Sequence, residues 1–180
     1  NPVHDSYHEN TPVFTQNTKT KRVEYREGIF YGYKGYEKNG TPVRYPFGYG
    51  LSYSKFDYSD LCVEKLGSDS LTVSFIVANT GKCDASEISQ VYVSDLSCSV
   101  PRPVKELKGF CKNFIKKGGR TRVEITLGKD AFSFYDVKSK SFVVEPGVFE
   151  ILVGASSADI RLRQNVQIGA DEYRTVAIEP

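Results

Sequence analysis

Residues 70–79, SLTVSFIVAN, carry the pattern that decides the fold. Large apolar side chains stand at every second position from Leu71 to Val77, with Thr72 and Ser74 between them. Successive side chains of a β-strand point to opposite faces, so this alternation predicts a strand with one face in a core.

The same period of two continues on both sides of this stretch, interrupted about every ten residues by turn residues such as Asn79-Thr80-Gly81 and Pro146-Gly147. The candidate strands are Phe56–Leu66, Ser70–Asn79, Glu87–Asp95, Val104–Ile115, Arg120–Leu127, Ala131–Asp136, Ser141–Glu145, Gly147–Ala155 and Ile160–Ile168. Many short alternating strands without a long helix predict an all-β fold, an antiparallel two-sheet sandwich of the fibronectin type III or immunoglobulin-like kind, over residues 56–168.

The segments outside the sandwich differ in composition. Residues 1–23 are polar, with Pro2 and Pro12, and predict an extended arm with little structure of its own. Residues 169–180 predict a tail or linker. The basic run 116–122, KKGGRTR, has two glycines and predicts a solvated hairpin tip and not a phosphate-binding patch.

Residues 24–55 form a tyrosine- and glycine-rich segment that we call the connector. Extended to Tyr58, this stretch holds eight of the twelve tyrosines and six glycines. Glycine permits turns and close approach, and tyrosine buries an apolar ring whose hydroxyl needs a partner. The stretch therefore predicts a connector that packs against another protein surface, with its hydroxyls hydrogen-bonded across the contact. Ile29, Tyr33 and Tyr36 have the spacing of a short helix or turn, and Asn39-Gly40 predicts a chain reversal.

Composition excludes several function classes. A net charge of +2 is too small to favour binding to nucleic acid or to an anionic membrane. The sequence contains no run of about 18 apolar residues, so it predicts no membrane span. No signal-peptide pattern occurs in these residues. Methionine is absent, so the chain is expected to be a processed or excised piece.

The residues able to bind metal or attack a substrate are few. Cys62, Cys83, Cys98 and Cys111 lack CxxC spacing, which favours free thiols and a reducing, cytoplasmic compartment, although an even number also permits two disulfides. His4 and His8 lie in the polar arm without an obvious third ligand. We expect no metal, no cofactor and no catalytic residue in this chain. The carboxylate pairs Asp57/Asp60 and Glu24/Glu27 are expected to be solvated or capping groups.

Six motifs in one order resemble the C-terminal part of glycoside hydrolase family 3 β-glucosidases. They are YREGIFYGYKGYE, YPFGYGLSYSKFDY, VANTGKCDASEISQVYVSD, RPVKELKGFCKNF, AFSFYD and PGVFEILVGASSADI. In that family a fibronectin type III-like domain follows a TIM-barrel domain and an α/β-sandwich domain, and the aromatic connector links the second to the third. Lys34-Gly35-Tyr36 departs from the family's usual Gly-Tyr-Arg-Tyr-Tyr run.

The resemblance implies a parent enzyme that hydrolyses terminal β-linked sugars with retention, using two carboxyl groups about 5 Å apart. The family's nucleophile is an Asp followed by Trp, and this chain has no tryptophan. The acid/base belongs to the domain before the connector. The resemblance therefore implies an accessory domain without an active site, whose partners are the two catalytic domains.

Three functions remain open at this stage. The first is a bracing domain whose interface consists of seven connector rings: Tyr25, Phe30, Tyr33, Tyr36, Phe47, Tyr49 and Tyr53. The second is a carbohydrate-binding module that presents exposed tyrosines to oligosaccharide. The third is an immunoglobulin-like adhesion domain, which the family motifs make the weakest of the three. Packing of the same rings within the chain itself is the simplest alternative to an interdomain role.

Overall fold

A computed structural model describes residues 15–17, 22–24, 27–66, 70–169 and 173–175. Its elements in chain order are β1 (Thr15–Asn17), β2 (Arg22–Glu24), helix α1 (Tyr33–Lys38), β3 (Phe56–Leu66), β4 (Ser70–Asn79), β5 (Ala85–Asp95), β6 (Glu106–Ile115), β7 (Arg120–Gly128), β8 (Phe134–Asp136), β9 (Ser141–Val143), β10 (Gly147–Gly154), β11 (Ile160–Ile168) and β12 (Tyr173–Thr175). Within these ranges no helix is long and apolar enough to span a membrane.

Two antiparallel sheets face each other and confirm the predicted sandwich. One sheet has the order β3-β4-β7, and the other has the order β12-β11-β10-β5-β6. Alternate residues of each strand point into the space between the sheets. Phe75 of β4 and Phe149 of β10 lie in this single core, and the Phe149 ring meets Phe132 edge to face at 5.3 Å.

The close approach of the two sheets depends on a glycine in β6. A Cβ atom at Gly109 would lie 2.5 Å from Cγ2 of Ile125, a core residue of β7 in the opposite sheet. Real Cβ atoms do not come so close to another heavy atom, so any larger residue would push the two sheets apart at this point.

Most strand bounds agree with the sequence prediction, and those of β3, β4 and β11 agree at both ends. Five other strands differ from the prediction by one or two residues at one end, and the largest difference concerns one strand. The strand expected over Ala131–Asp136 is a 3-10 turn over Lys129–Ala131 followed by the short β8, which pairs with β9 in a separate two-stranded sheet. Lys129 and Asp130 follow Gly128 in a tight turn, so Ala131 and Phe132 reach the core from a turn and not from a strand.

The hairpin predicted at residues 116–122 is also wrong. The turn around Gly118-Gly119 is exposed, as expected, but β6 pairs with β5 while β7 pairs with β4. The turn therefore carries the chain from one sheet to the other. The two glycines indicate a reversal of direction, but the choice of strand partner depends on residues far away in sequence.

Both terminal segments contain more regular structure than the sequence predicts. In the arm, β1 pairs with β2 in antiparallel register. In the predicted tail, β12 pairs with β11 and extends the five-stranded sheet. The remaining residues of the arm, including His4 and His8, lie outside the described part of the chain, and so do residues 170–172 and 176–180 of the tail.

Candidate functional site

The connector covers part of the outer face of the five-stranded sheet. Val91 and Val93 of β5 point into the core, so Tyr92 between them points to the opposite side, where Leu152 of β10 is its register partner. Both outward side chains are nevertheless buried, and Tyr92 has no exposed surface. An outward-facing residue in a sandwich is buried only if another segment lies on it, and here that segment is the connector.

A buried glutamine fixes the middle of the connector. The amide nitrogen of Gln90 donates to the carbonyl oxygen of Gly48 at 3.0 Å and to that of Ala155 at 2.7 Å. Its amide oxygen accepts the hydroxyl of Tyr92 at 2.6 Å. Gly48 has a φ of +77°, and a Cβ atom there would lie 2.0 Å from the Gln90 amide oxygen. Glycine is therefore required at this contact both for conformation and for space.

The loop after β10 also binds this part of the connector. The backbone N–H of Ser157 donates to the carbonyl oxygen of Phe47 at 2.9 Å. Ala155, which binds Gln90, belongs to the same loop. Consecutive connector carbonyls at Phe47 and Gly48 are thus bound by groups of the sandwich, although both residues keep exposed surface.

Helix α1 lies at the start of β6. The Tyr33 hydroxyl accepts the backbone N–H of Leu107 at 3.0 Å, and the Tyr33 ring stacks on Phe47 with centroids 4.3 Å apart. Burial raises the pKa of the Tyr33 hydroxyl. A six-residue helix is not stable alone, so these contacts with the sandwich hold α1 in place.

Ion pairs add to this attachment. Lys34 pairs with Glu106 at 2.7 Å, and Glu37 pairs with Lys105 at 2.9 Å. Glu106 also contacts Arg102, whose side chain is 7% exposed. Burial alone would raise the pKa of the Glu106 carboxyl, but the neighbouring cations Lys34, Lys108 and Arg102 outweigh burial and lower it. The carboxylate of Glu106 is therefore charged when the connector is bound to the sandwich.

The C-terminal end of the connector is held by Asn79, a buried residue at the end of β4. Its side-chain oxygen accepts the Ser54 hydroxyl at 2.6 Å, and its side-chain nitrogen donates to the carbonyl oxygens of Cys83 and Ile115, each at 2.9 Å. The N–H of Thr80 donates to the carbonyl oxygen of Lys55 at 2.9 Å. The connector is thus attached at its helix, its middle and its end.

On its other side, none of the described residues covers several connector side chains. Leu51 is 90% exposed and Tyr53 is 99% exposed, while Tyr45 and Tyr49 are also exposed. The rings of Tyr45 and Tyr49 lie 5.5 Å apart with their planes tilted by 37°. Exposed apolar side chains of this kind are a feature of interaction sites.

The seven predicted interface rings thus fall into different environments. Tyr33 and Tyr36 are half-buried on the helix, and Phe30 is half-buried beneath the ammonium of Lys38. Phe47 stacks on Tyr33 but remains partly exposed. Tyr49 and Tyr53 face outward. The side chain of Tyr25 lies outside the described residues, and the interdomain role of all seven stays a prediction.

A groove of about 920 Å³ lies between the end of the connector and the start of β11. At its floor the Tyr58 hydroxyl donates to Glu87 at 2.8 Å, and Arg161 forms a two-contact ion pair with Asp159 at 2.8 and 3.2 Å. Arg161 also donates to the carbonyl oxygen of Phe56. Burial raises the pKa of both Tyr58 and Glu87. These groups bind each other, which favours a structural role over acid–base chemistry.

Other chemistry has little support in the described part of the chain. All four cysteines are free thiols, and the described residues contain no cluster of three metal-ligating side chains. Asp57 is exposed, and Asp60 lies in a bulge of β3 next to its partner Ser59. This arrangement matches the expected solvated or capping role.

Sequence reasoning missed Gln90, Asn79 and the Lys34–Glu106 pair. The stretch around Gln90, SQVYVSD, alternates in polarity, and its polar residues look like a solvated face. The available signal was the tyrosine at position 92 within that face, because a large ring between polar residues on the outer side of a strand indicates a covering segment.

Comparison with known proteins finds sequences and domains similar to this chain. Residues 87–157 match the family model of the fibronectin type III-like domain. The chain is 48% identical over 152 residues to thermostable β-glucosidase B of Acetivibrio thermocellus, covering 83% of this chain and 20% of that protein. It is 46% identical over 138 residues to an exo-α-(1→6)-L-arabinopyranosidase of Bifidobacterium longum, covering 77% and 18%.

A solved structure shows a similar fold. The crystal structure of the Bifidobacterium adolescentis GH3 β-glucosidase matches with a TM-score of 0.79 and 38% identity, over 86% of this chain and 24% of that one. The chain therefore spans only about a fifth of the length of the curated relatives it matches.

Removal of the Gln90 amide should loosen the connector. Gln90→Ala deletes two hydrogen bonds to backbone carbonyls and the acceptor of a buried hydroxyl, so we expect the free energy of unfolding to fall by about 2–3 kcal/mol in urea denaturation. Gln167→Ala, which loses only a contact at 3.5 Å, is the matched control. Equal stabilities of the two variants would contradict this role for Gln90.

The Lys34–Glu106 pair should make stability depend on pH. The pKa of Glu106 is lowered in the folded state, so the pair stabilises the fold above the unfolded value of about 4.3 and this contribution disappears as the pH falls through the folded value. Glu106→Gln should therefore be less stable than wild type at neutral pH, and the difference should shrink in acid. Glu124→Gln, a mostly exposed carboxylate, is the control. A difference independent of pH would exclude this linkage.

Proposed function

We propose that this chain, which carries a fibronectin type III-like domain of the glycoside hydrolase family 3 type, is the accessory domain of such an enzyme and braces its catalytic domains. The observation that carries the proposal is the two-sided connector. One side is bonded to the sandwich through Gln90, Asn79 and Glu106. The other side exposes Leu51 and Tyr53 almost completely.

The partners in this proposal are the TIM-barrel and α/β-sandwich domains of the parent enzyme. The parent would hydrolyse terminal β-linked sugars with retention, through two carboxyl groups that lie outside this chain. Relatives of the chain are named for different sugars, a β-glucosidase and an L-arabinopyranosidase among them. This variety fits a domain that supports the enzyme and does not select its sugar.

The exposed connector side chains are the contact surface in this proposal. In contact with a neighbouring domain, Leu51 and Tyr53 would lose water-exposed apolar area, which is worth about 25 cal/mol for each Å² removed from water. In the isolated chain they contact solvent and add nothing to stability. The same substitution should therefore act differently in the chain and in the parent.

Substitutions at the two sides of the connector test this. Tyr53→Ser should leave the unfolding midpoint of the isolated chain unchanged and lower that of the parent enzyme. Tyr33→Ala should lower both, because Tyr33 contacts the sandwich. KM for a nitrophenyl β-glucoside should change little in either variant. A parent enzyme with Tyr53→Ser that melts like wild type would refute docking through this side.

The alternative function is carbohydrate binding by exposed tyrosines. The groove beside Tyr49 has room for a sugar, but the rings of Tyr45 and Tyr49 are tilted by 37° and do not form a flat platform. We expect calorimetric titration of the chain with cello-oligosaccharides to show no binding tighter than millimolar, and the chain alone to release no nitrophenol from the glucoside. Tight binding would favour the module instead, and hydrolysis would refute the accessory role.

A further inference from the structure

The outer face of strands β5 and β6 carries three exposed apolar side chains beyond the connector. Ile88 is 46% exposed, Phe110 is 68% exposed and Phe114 is 64% exposed. They point away from the core, because Cys111 and Ile115 of β6 alternate with the two phenylalanines and pack against it. We call these three residues the outer row.

The outer row begins beside the connector. Phe110 is the register partner of Gln90, whose amide binds Gly48, and Phe114 is the partner of Ser86 at the far end of the same strand pair. Ile88 lies two residues before Gln90 and therefore on the same face. The outer row therefore starts at the position of β5 that binds the connector and continues along the strand pair away from it.

Strand β6 is also the edge of its sheet. Among the described strands it pairs only with β5, at one end of the order β12-β11-β10-β5-β6. Exposed edge strands in stable proteins are commonly shortened, charged or covered, because they invite pairing with other chains. A ten-residue edge with two exposed phenylalanines on one face has the character of a surface that a partner covers.

The charge around the outer row indicates the chemistry of the partner. Lys112 lies between the two phenylalanines in sequence and opposite Ile88, and Lys116 and Lys117 follow at the end of β6. All three lysines are exposed. The carboxylate of Glu87 is occupied by Tyr58, and that of Asp84 accepts the Lys117 backbone N–H. A second copy of this face would bring lysines against lysines, whereas a partner with carboxylates around an apolar patch would complement it.

We propose that the outer row is a second docking surface for the catalytic part of the parent polypeptide, which contacts it through an apolar patch bordered by carboxylates. This inference rests on the proposed function. About four-fifths of the relatives' length lies outside the region that this chain matches, so the parent has ample polypeptide to cover the surface. The covalent link through the connector raises the effective concentration of that partner at the adjoining row.

The test compares the double variant Phe110→Ser/Phe114→Ser in the isolated chain and in the intact parent enzyme. Both rings are largely exposed, so we expect the unfolding midpoint of the isolated chain to stay unchanged. In the parent, loss of two buried aromatic contacts should shorten the half-life of thermal inactivation about tenfold or more. Leu66→Ser, an exposed apolar residue on edge strand β3 of the other sheet, is the matched control and should change neither protein.

Charge reversal gives an independent readout. Lys112→Glu should also shorten the half-life of the parent, because it would oppose the partner's carboxylates, and this effect should weaken at high salt. Lys129→Glu, an exposed lysine after β7, should have no such effect. Equal half-lives for the Lys112→Glu and Lys129→Glu parents would overturn the assigned partner chemistry.

The outcomes separate this inference from the proposed function. If Tyr53→Ser destabilises the parent while the double phenylalanine variant does not, the outer row is no docking surface and the accessory role stands. If neither variant affects the parent, both proposals fail. If sedimentation shows that the isolated chain dimerises and the double variant is monomeric, the occupant is a second copy and the inference is overturned. Cello-oligosaccharide binding that the double variant abolishes would overturn it as well.

Discussion

The hydrogen bonds of one buried amide hold the connector on the sandwich. Gln90 lies on the outer face of β5, where a polar side chain would normally face water. Its amide instead binds the carbonyls of Gly48 and Ala155 and accepts the hydroxyl of Tyr92. The side chains of Gln90 and Tyr92 are buried, and a buried polar group without a partner is costly. The Gln90 amide, the Tyr92 hydroxyl and the two carbonyls are hydrogen-bonded to one another. They therefore fix the position of the connector relative to the sheet and to the loop after β10.

This attachment gives the connector two sides with different roles. The inner side belongs to the domain, through the stacked ring of Tyr33 and the ion pair between Lys34 and Glu106. The outer side, with Leu51 and Tyr53, contributes nothing to the stability of the domain while it remains in water. A bracing domain requires this division, because the surface offered to a partner must be rigid before the partner arrives.

Exposed apolar side chains lie on the connector and also in the outer row on β5 and β6, and three exposed lysines lie on β6 and just after it. The groove at Tyr58 and Arg161 lies at the connector's end, where charged groups bind each other and the backbone. The contacts in this groove therefore stabilise the domain and its connector.

The sequence by itself determined the strands, their alternation and the order of the motifs. Strands such as β3, β4 and β11 follow from local periodicity, since the backbone geometry places every second side chain on one face whatever the partner strand. The tertiary structure decided three other matters. It joined β6 and β7 across two sheets and not in a hairpin, it buried Gln90 beneath a segment 42 residues earlier in the chain, and it turned Tyr33 inward while Tyr53 faces water. These outcomes depend on contacts between residues distant in sequence. A local pattern of polarity does not predict which distant segment will pack on a strand.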